Sequence, residues 1–326
     1  MIDRIKEIAE EAVNKKGISE RNALFIAQIS NESIPLLFYY ASHLRETFRG
    51  KVVELCAIVN AKSGLCTEDC AYCSQSAISK AEIPKYSLME TEEIIKRAQE
   101  ARRYKVRRFC IVTSGRKPNK KEILSIAKTI GRIRNIGILP CATLGLVSEE
   151  DLRILKDNGL ERYHHNLETS ERFFPRLCST HTYKEKLKTI EAVKKVGLSL
   201  CSGGIFGLGE EWHDRIQMGL RLREFDVDSV PINLLIPIKG TPLGERPMLN
   251  PFEALKIVSL YRFILPEKQI RLCGGRRQVL GEFNSMIFMA GADSILTGNY
   301  LTTLGKNYDD DLKLIRDMGL ELEKNT

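Results

Sequence analysis

Cys66, Cys70 and Cys73 stand together in one short stretch, Gly64-Leu65-Cys66-Thr67-Glu68-Asp69-Cys70-Ala71-Tyr72-Cys73, at the spacing C-x3-C-x2-C. No fourth cysteine follows nearby. A closed structural zinc site or a four-thiolate cluster needs four protein ligands. Three thiolates on a tight loop can instead hold three corners of a cubic four-iron, four-sulfide cluster, leaving the fourth iron open to a small molecule. A chance cluster or a partial zinc site is the plainer alternative at this spacing.

A second set of thiols is scattered singly along the chain: Cys110, Cys141, Cys201 and Cys273. Each falls in a short apolar run that reads as a strand, and alternate residues of a strand face the same side. One parity gives Arg108, Cys110, Val112 and Ser114, then Leu139, Cys141 and Thr143, then Arg162, His164, Asn166 and Glu168. It continues with Cys201 and Gly203, with Ser229, Pro231 and Asn233, and with Arg271 and Cys273. Buried charges and amides must be paired or bound to a ligand. This face therefore encloses a site, with a second metal centre assembled from strand cysteines; buried cysteines acting as small hydrophobes are the alternative. Cys56 and Cys178 read as packing thiols, and His164 and His165 as structural.

The elements that must position these residues alternate. Strands are expected at 52–59, 106–113, 136–143, 160–167, 198–205, 229–235, 269–273 and 294–298, separated by helical stretches. Thr91, Ser148 with Asp151, Thr182 with Glu185, and Asn250-Pro251 read as helix starts. Helices are expected at 120–133, 212–224, 277–290 and 310–318. Eight strands alternating with helices predict an α/β fold, a parallel (β/α)8 TIM-type barrel. Residues 1–50 read as an N-terminal helical extension packed on the barrel at 51–326, the whole forming one domain. Barrel enzymes carry their chemistry at the C-terminal ends of the strands, where the cysteine loop would sit.

The chain has 326 residues, 43% hydrophobic and 28% charged, as expected for a soluble protein with a large core. No apolar run is long enough to span a membrane. The net charge of +8 is modest and spread out, and the basic group at Arg102, Arg103, Lys105, Arg107 and Arg108 reads as solvated or internally paired, so no nucleic acid is expected. The first residues lack the apolar core and cleavage site of a signal peptide. Nine cysteines without an export signal point to a reduced, cytoplasmic setting.

The cysteine loop, placed after the first barrel strand with Tyr72 beside its last thiol, resembles that of the radical S-adenosylmethionine (SAM) enzymes. Cys201-Ser202-Gly203-Gly204-Ile205-Phe206-Gly207-Leu208-Gly209-Glu210 is similar to the matching strand of the biotin synthases. So are His165-Asn166-Leu167-Glu168-Thr169-Ser170, Val230-Pro231-Ile232-Asn233, Lys239-Gly240-Thr241-Pro242-Leu243, Met289-Ala290-Gly291-Ala292 and Leu301-Thr302-Thr303, over about residues 50–320.

The resemblance implies conversion of dethiobiotin to biotin, with SAM on a 4Fe-4S cluster and sulfur from an auxiliary iron–sulfur cluster. It implies that Cys66, Cys70 and Cys73 hold the first cluster. It places Tyr72, Gly203, Ile205, Gly207 and Glu210 along SAM, with Asn166 and Glu168 near its ribose and Lys186 at its carboxylate. Lys186 stands where the family has Arg, and Glu168 where it often has Asp. Asn166 and Asn233 are implied to hold the ureido ring of dethiobiotin, and Thr302 and Thr303 its carboxylate. Cys110, Cys141 and Cys201 are implied as auxiliary ligands, with Arg271 as the fourth around a 2Fe-2S centre. Here the chain departs from the pattern. Cys273 lies two residues beyond Arg271 on the same parity, and a thiolate binds iron better than a guanidinium. A larger all-Cys auxiliary cluster with Cys273 as fourth ligand stands beside the Arg271 alternative. The expected partners are an electron donor of flavodoxin or ferredoxin type, the iron–sulfur assembly machinery, and a second copy of the chain in a homodimer.

Rival readings are another radical-SAM barrel enzyme, such as a hydrogenase maturase or a methylornithine-synthase-like mutase, and an iron–sulfur carrier or scaffold. The first does not call for Cys110, Cys141 and Cys201 together with Arg271, and a scaffold has no need of an open three-cysteine site, glycine-rich strand ends or a polar lumen.

Overall fold

The computed structural model describes residues 1–302, 305 and 307–323. Its first three helices are α1 (Ile2–Lys15), α2 (Glu20–Ala27) and α3 (Ile34–Arg49). Helix α1 turns Ile5, Ile8, Ala9 and Ala12 inward and stops at Lys16, whose φ of 56° is left-handed. Ser19 caps α2 by accepting from the Asn22 N–H at 3.3 Å. Strand β1 (Val52–Lys62) begins just after Gly50.

Alternation follows, as expected for a barrel: α4 (Thr91–Arg103), β2 (Arg108–Thr113), α5 (Lys120–Asn135), β3 (Leu139–Thr143), α6 (Glu149–Asp157) and β4 (Arg162–His164). The chain continues through α7 (Tyr183–Val196), β5 (Ser199–Cys201), β6 (Gly204–Phe206), α8 (Trp212–Glu224) and β7 (Ser229–Leu234). Helix α9 (Pro251–Ile264), β8 (Gln269–Leu272), α10 (Arg276–Leu280), β9 (Ser294–Leu296), α11 (Tyr308–Asp317) and β10 (Glu321–Leu322) complete it. Neighbouring strands pair parallel from β1 to β9, and β1 pairs β9 to close the barrel. Strands β5 and β6 share one barrel position, both pairing β7. The short β10, which the sequence pattern does not disclose, adds to the start of β1.

Several elements differ from expectation. The strand expected at 160–167 keeps regular form only over β4, although His165 N–H still donates to the Cys201 carbonyl at 2.9 Å and Leu167 N–H to that of Gly203 at 3.0 Å. Glu168 there has a left-handed φ of 72°. The strand expected at 198–205 is split at Ser202-Gly203. The helix expected at 277–290 is α10 followed by a 3-10 stretch, Gly281–Ile287. Thr91 does not cap α4 but lies inside it, and its hydroxyl meets that of Thr129 on α5 at 2.8 Å.

The apolar core fills the layer between strands and helices, while the lumen carries buried charged and amide side chains among apolar ones. At the strand N-terminal ends Arg108 Nε donates to Glu54 at 3.0 Å, Arg162 Nη1 to Gln269 at 3.1 Å, and Arg271 Nη2 to Ser229 at 2.7 Å. Burial opposes the charge on Glu54, yet Arg108, Arg162 and Arg271 together hold its carboxyl below the usual range. This network is a floor, and the space above it is open to the strand C-terminal ends. The N-terminal helices pack on α8 and α9 outside the barrel. Lys256 of α9 donates to the Ile29 carbonyl at 2.6 Å, and Arg223 of α8 to that of Ile18 at 2.7 Å.

Candidate active site

The cysteine loop leaves the C-terminal end of β1 through Gly64 and Leu65, both left-handed at φ 66° and 54°. It then folds on its own backbone. The Cys73 N–H donates to the Cys70 carbonyl at 3.1 Å, Ser76 N–H to that of Cys73 at 3.2 Å, and Ala77 N–H to that of Glu68 at 2.8 Å. The segment before α7 holds the loop from outside. Ala71 N–H donates to the Leu177 carbonyl at 2.8 Å. Asp69 accepts from the Ser179 N–H at 2.9 Å and the Thr180 N–H at 3.2 Å. Burial, the largest single influence, works against its charge, but hydrogen bonds from Ser179, Cys178 and Thr180 together hold its carboxyl well below the usual range. Glu68 accepts from Thr180 Oγ1 at 2.9 Å and lies 2.6 Å from His181 Nδ1.

One cavity of about 330 Å3 runs from this loop down to the barrel floor. Cys66, Cys70, Tyr72 and Cys73 line its mouth; Cys110, Cys141, Cys201, Arg271 and Cys273 line it lower down. The strand parity read from the sequence therefore faces inward. Cys110 and Cys141 are register partners on β2 and β3, and Cys201 on β5 lies opposite His164 on β4. Burial pushes the Cys110 and Cys141 thiols up, that of Cys56 to about 12 and that of Cys73 to about 11. A metal that takes these thiolates must displace their protons.

The chemistry of the donor set fits iron–sulfur groups at both levels. Three thiols line the mouth, and Cys56, Cys110, Cys141, Cys201 and Cys273 line the lower space. Arg271 Nε and Arg108 Nη1 are buried there without a hydrogen-bond partner among the described residues, donors that sulfide could satisfy. Arg271 Nη2 is already engaged by Ser229 and by Gln269 at 3.0 Å.

Between the two levels lie the amides. Asn166 Oδ1 accepts from the Gly203 N–H at 3.1 Å and sits 2.7 Å from His164 Nε2, while its Nδ2 donates to Glu168 at 3.2 Å. Burial raises the Glu168 carboxyl above its ordinary value, and burial lowers His164 to about 4. Lys186 is buried, not on a solvated helix face, and donates to the Asn166 carbonyl at 3.1 Å. Asn233 Nδ2 donates to the Gly204 carbonyl at 3.2 Å, and its Oδ1 accepts from Gly274 N–H and Tyr300 OH, each at 3.1 Å. Thr302 meets Ser74 Oγ at 3.0 Å, and Thr303 lies outside the described residues.

Of the glycine-rich run, Ile205 lines the cavity and Gly203, Gly207 and Glu210 do not. They act from behind. A Cβ on Gly203 would stand 2.1 Å from the Pro231 carbonyl, so glycine there lets β5 approach β7. Glu210 accepts from the Gly207 N–H at 3.0 Å and from Arg215 Nε at 2.7 Å, fixing the turn that follows β6.

Three further residues of the site are not singled out by the sequence pattern. Cys56 is buried, as expected of a packing thiol, and it also lines the lumen. The same alternation applied to β1, through Glu54, Cys56 and Ile58, finds it. Tyr300 lines the cavity beside Asn233. Cys178 packs in the apolar core as expected, and its Sγ also lies 3.8 Å from that of Cys70. Its C-x2-H spacing to His181 is the available signal.

Comparison with known proteins agrees with this geometry. Residues 62–221 match the Radical SAM superfamily, and residues 231–321 match the Biotin and Thiamin Synthesis associated domain. Methylornithine synthase superposes with a TM-score of 0.85 at 18% identity, covering 98% of both chains. The FeFe-hydrogenase maturase HydG from Carboxydothermus hydrogenoformans gives 0.81 at 18% identity, over 98% of this chain and 79% of that one. At this identity both speak for the fold alone. Barrel, open three-cysteine loop and matched domain define a radical SAM enzyme. Biotin synthase from Thermodesulfovibrio yellowstonii is 55% identical over 91% of this chain and 94% of its own. That from Aquifex aeolicus is 41% identical over 97% and 96%. The chain belongs to the biotin synthase family, whose members need SAM, a 4Fe-4S cluster and an auxiliary iron–sulfur cluster.

Proposed function

We propose that the mouth and the lumen of one cavity divide the work of converting dethiobiotin to biotin. The observation that carries this reading is that both thiol sets line the same cavity, with Asn166, Glu168 and Asn233 between them. Cys66, Cys70 and Cys73 hold the 4Fe-4S cluster, and Cys110, Cys141 and Cys201 hold the auxiliary one. When bound, these groups supply reductive cleavage of SAM, hydrogen abstraction from substrate, and the sulfur that is inserted.

The chain's own residues bind, orient and exclude water. Tyr72, Ile205 and Glu168 border the SAM side, and the Lys186 ammonium faces its carboxylate as a point charge, without the fork of Arg. Gly203, Gly207 and Glu210 keep the Ile205 backbone in place. Asn166 and Asn233 present donor and acceptor groups to a cyclic urea. Their present hydrogen bonds to Gly203, Gly204 and Gly274 fix which way each amide points. Thr302 and Thr303 take the substrate carboxylate.

Cys273 is the fourth auxiliary ligand, and Arg271 is a positioning residue whose free Nε faces the sulfides. Two facts support this over ligation by Arg271: its Nη2 is engaged at the floor, and guanidinium does not deprotonate. Mössbauer spectra with iron and sulfide counts test it. Cys273→Ser changes the auxiliary signal on this account; an unchanged two-iron spectrum in both proteins contradicts it.

The barrel with its N-terminal helices acts as a single domain, 1–50 packing on 51–326. No described helix is long and apolar enough to cross a membrane, and a cytoplasmic setting suits an oxygen-sensitive site. A flavodoxin- or ferredoxin-type donor supplies the electron, the iron–sulfur assembly machinery loads the thiols, and the chain pairs as a homodimer. Anaerobic assay with SAM, reductant and dethiobiotin tests the whole reading: biotin must appear, and SAM cleavage without biotin contradicts it.

A further inference from the structure

Cys178 lies outside both thiol sets, and the two clusters leave it without a task. It is part of the apolar core, yet its thiol also faces another thiol, an imidazole and a carboxylate. It is only 7% exposed, and His181 is 8% exposed. The Cys178 Sγ stands 3.8 Å from Cys70 Sγ, 3.2 Å from His181 Nδ1 and 3.1 Å from Asp69 Oδ1. The ligand atoms of Cys70, Cys178 and His181 all lie within 4.8 Å of one another.

These separations are those of a tetrahedral metal site. With metal–sulfur bonds of about 2.3 Å and metal–nitrogen bonds of about 2.0 Å, tetrahedral angles put two thiolates about 3.8 Å apart and a thiolate and an imidazole about 3.5 Å apart. Cysteine ligands of one cubic cluster sit on different irons and need wider spacing than that. Two carboxylates border the group: Glu68 lies 2.6 Å from His181 Nδ1, and Asp69 Oδ1 lies 3.1 Å from Cys178 Sγ. Arg116 Nη1 is 3.5 Å from Glu68.

We propose that Cys70, Cys178 and His181 bind a single divalent transition-metal ion of the Fe2+ or Zn2+ class when the loop carries no cluster, with solvent at the fourth position. Two thiolates and an imidazole form a borderline-soft set that suits such ions and not Mg2+ or Ca2+. Cys178 and His181 belong to this site alone, and Cys70 is shared. Ion and cluster therefore exclude each other on this chain. A first Fe2+ can be held beside the loop before cluster assembly, and Zn2+ held there keeps Cys70 from the cluster.

Anaerobic titration of the full, cluster-free chain with Co2+ tests the site through visible absorption, without reference to activity. The expected result is one tetrahedral Co2+ per chain with thiolate charge-transfer bands. Cys178→Ser and His181→Ala each weaken binding by about tenfold or more, while Cys66→Ser and Cys73→Ser bind as the wild type does. Thermal unfolding of each variant checks its fold, and His181→Gln replaces any partner variant that does not fold. Equal binding by Cys178→Ser overturns the proposal. So does a loss in Cys66→Ser as large as that in Cys178→Ser, which puts the ion on the three loop thiols. A further arm adds iron and sulfide to the Co2+ form. Release of Co2+ as the cluster forms is expected; retention of Co2+ beside a complete cluster overturns the sharing of Cys70. The Co2+ titration needs no substrate, so its failure is distinct from failure to make biotin.

Discussion

The two sets of thiols in this cavity are held in opposite ways. Cys110, Cys141 and Cys201 are placed by strand register: pairing of β2 with β3, and of β4 with β5, sets their spacing. Cys66, Cys70 and Cys73 lie on a loop with no ladder to fix it. They depend on a few turns of backbone and on the segment 177–181, which Asp69 and Glu68 grip from the loop side. A register holds its residues through many hydrogen bonds at once. A loop held by two carboxylates can be loosened from a distance. The lumen set is therefore rigid and insensitive to single changes elsewhere, and the mouth set is adjustable.

That contrast can be broken most severely at the ligands. Cys73→Ser and Cys141→Ser are each expected to abolish biotin formation, measured as product under anaerobic single-turnover conditions. Below this in size comes Asp69→Ala, which releases Ser179, Thr180 and the Cys178 thiol from the loop without removing Cys66, Cys70 or Cys73. It is expected to weaken retention of the first cluster by about 10- to 100-fold, followed by loss of its absorption during chelation, while the auxiliary signal stays. The lumen has its counterpart in Gly203→Ala. A Cβ there meets the Pro231 carbonyl at 2.1 Å, so the cost falls on packing, about 1–3 kcal/mol by chemical unfolding.

The smallest effect reaches the mouth set by the longest route. Buried Asp214 on α8 accepts from Arg172 Nε at 3.1 Å and from Ser170 Oγ, anchoring the segment that leads to Cys178. Burial works against its charge, but hydrogen bonds from Arg172 and Ser170 prevail and hold its carboxyl below the ordinary value. A carboxyl lowered on folding stabilises above its unfolded pKa and loses that contribution as pH falls through the folded value. Asp214→Asn is expected to cost about 1–2 kcal/mol at neutral pH. The difference from wild type should shrink as the pH drops below about 4, read by unfolding at both pH values.

The same contrast explains which residues the sequence makes legible. Strand alternation is a local rule, so the inward parity of Cys110, Cys141, Cys201 and Arg271 follows from the order of residues alone. The loop set is legible because three thiols on a short segment cannot lie far apart. Cys56 obeys the alternation rule too, and is missed only when the rule is not carried back to β1. Cys178 lies in irregular chain between β4 and α7, where no period assigns a face, and only the fold brings it to Cys70. Gly203, Gly207 and Glu210 stand in a recognisable run, yet their positions behind Ile205 depend on β7 and Arg215, which sequence spacing does not reveal. The split of the fifth strand and the early end of β4 face each other, at Ser202-Gly203 and past His164, where Glu168 takes a left-handed φ of 72° and Asn166 and Glu168 line the cavity.

The central claim is that one cavity holds two independent iron–sulfur centres, one on the loop and one on the strands. Mössbauer spectra with iron and sulfide counts on Cys66→Ser and Cys141→Ser test it most directly. The account predicts that Cys66→Ser keeps the auxiliary signal and loses the SAM cluster, and that Cys141→Ser does the reverse. Loss of both centres in either folded variant, or one unchanged signal in both, would contradict it.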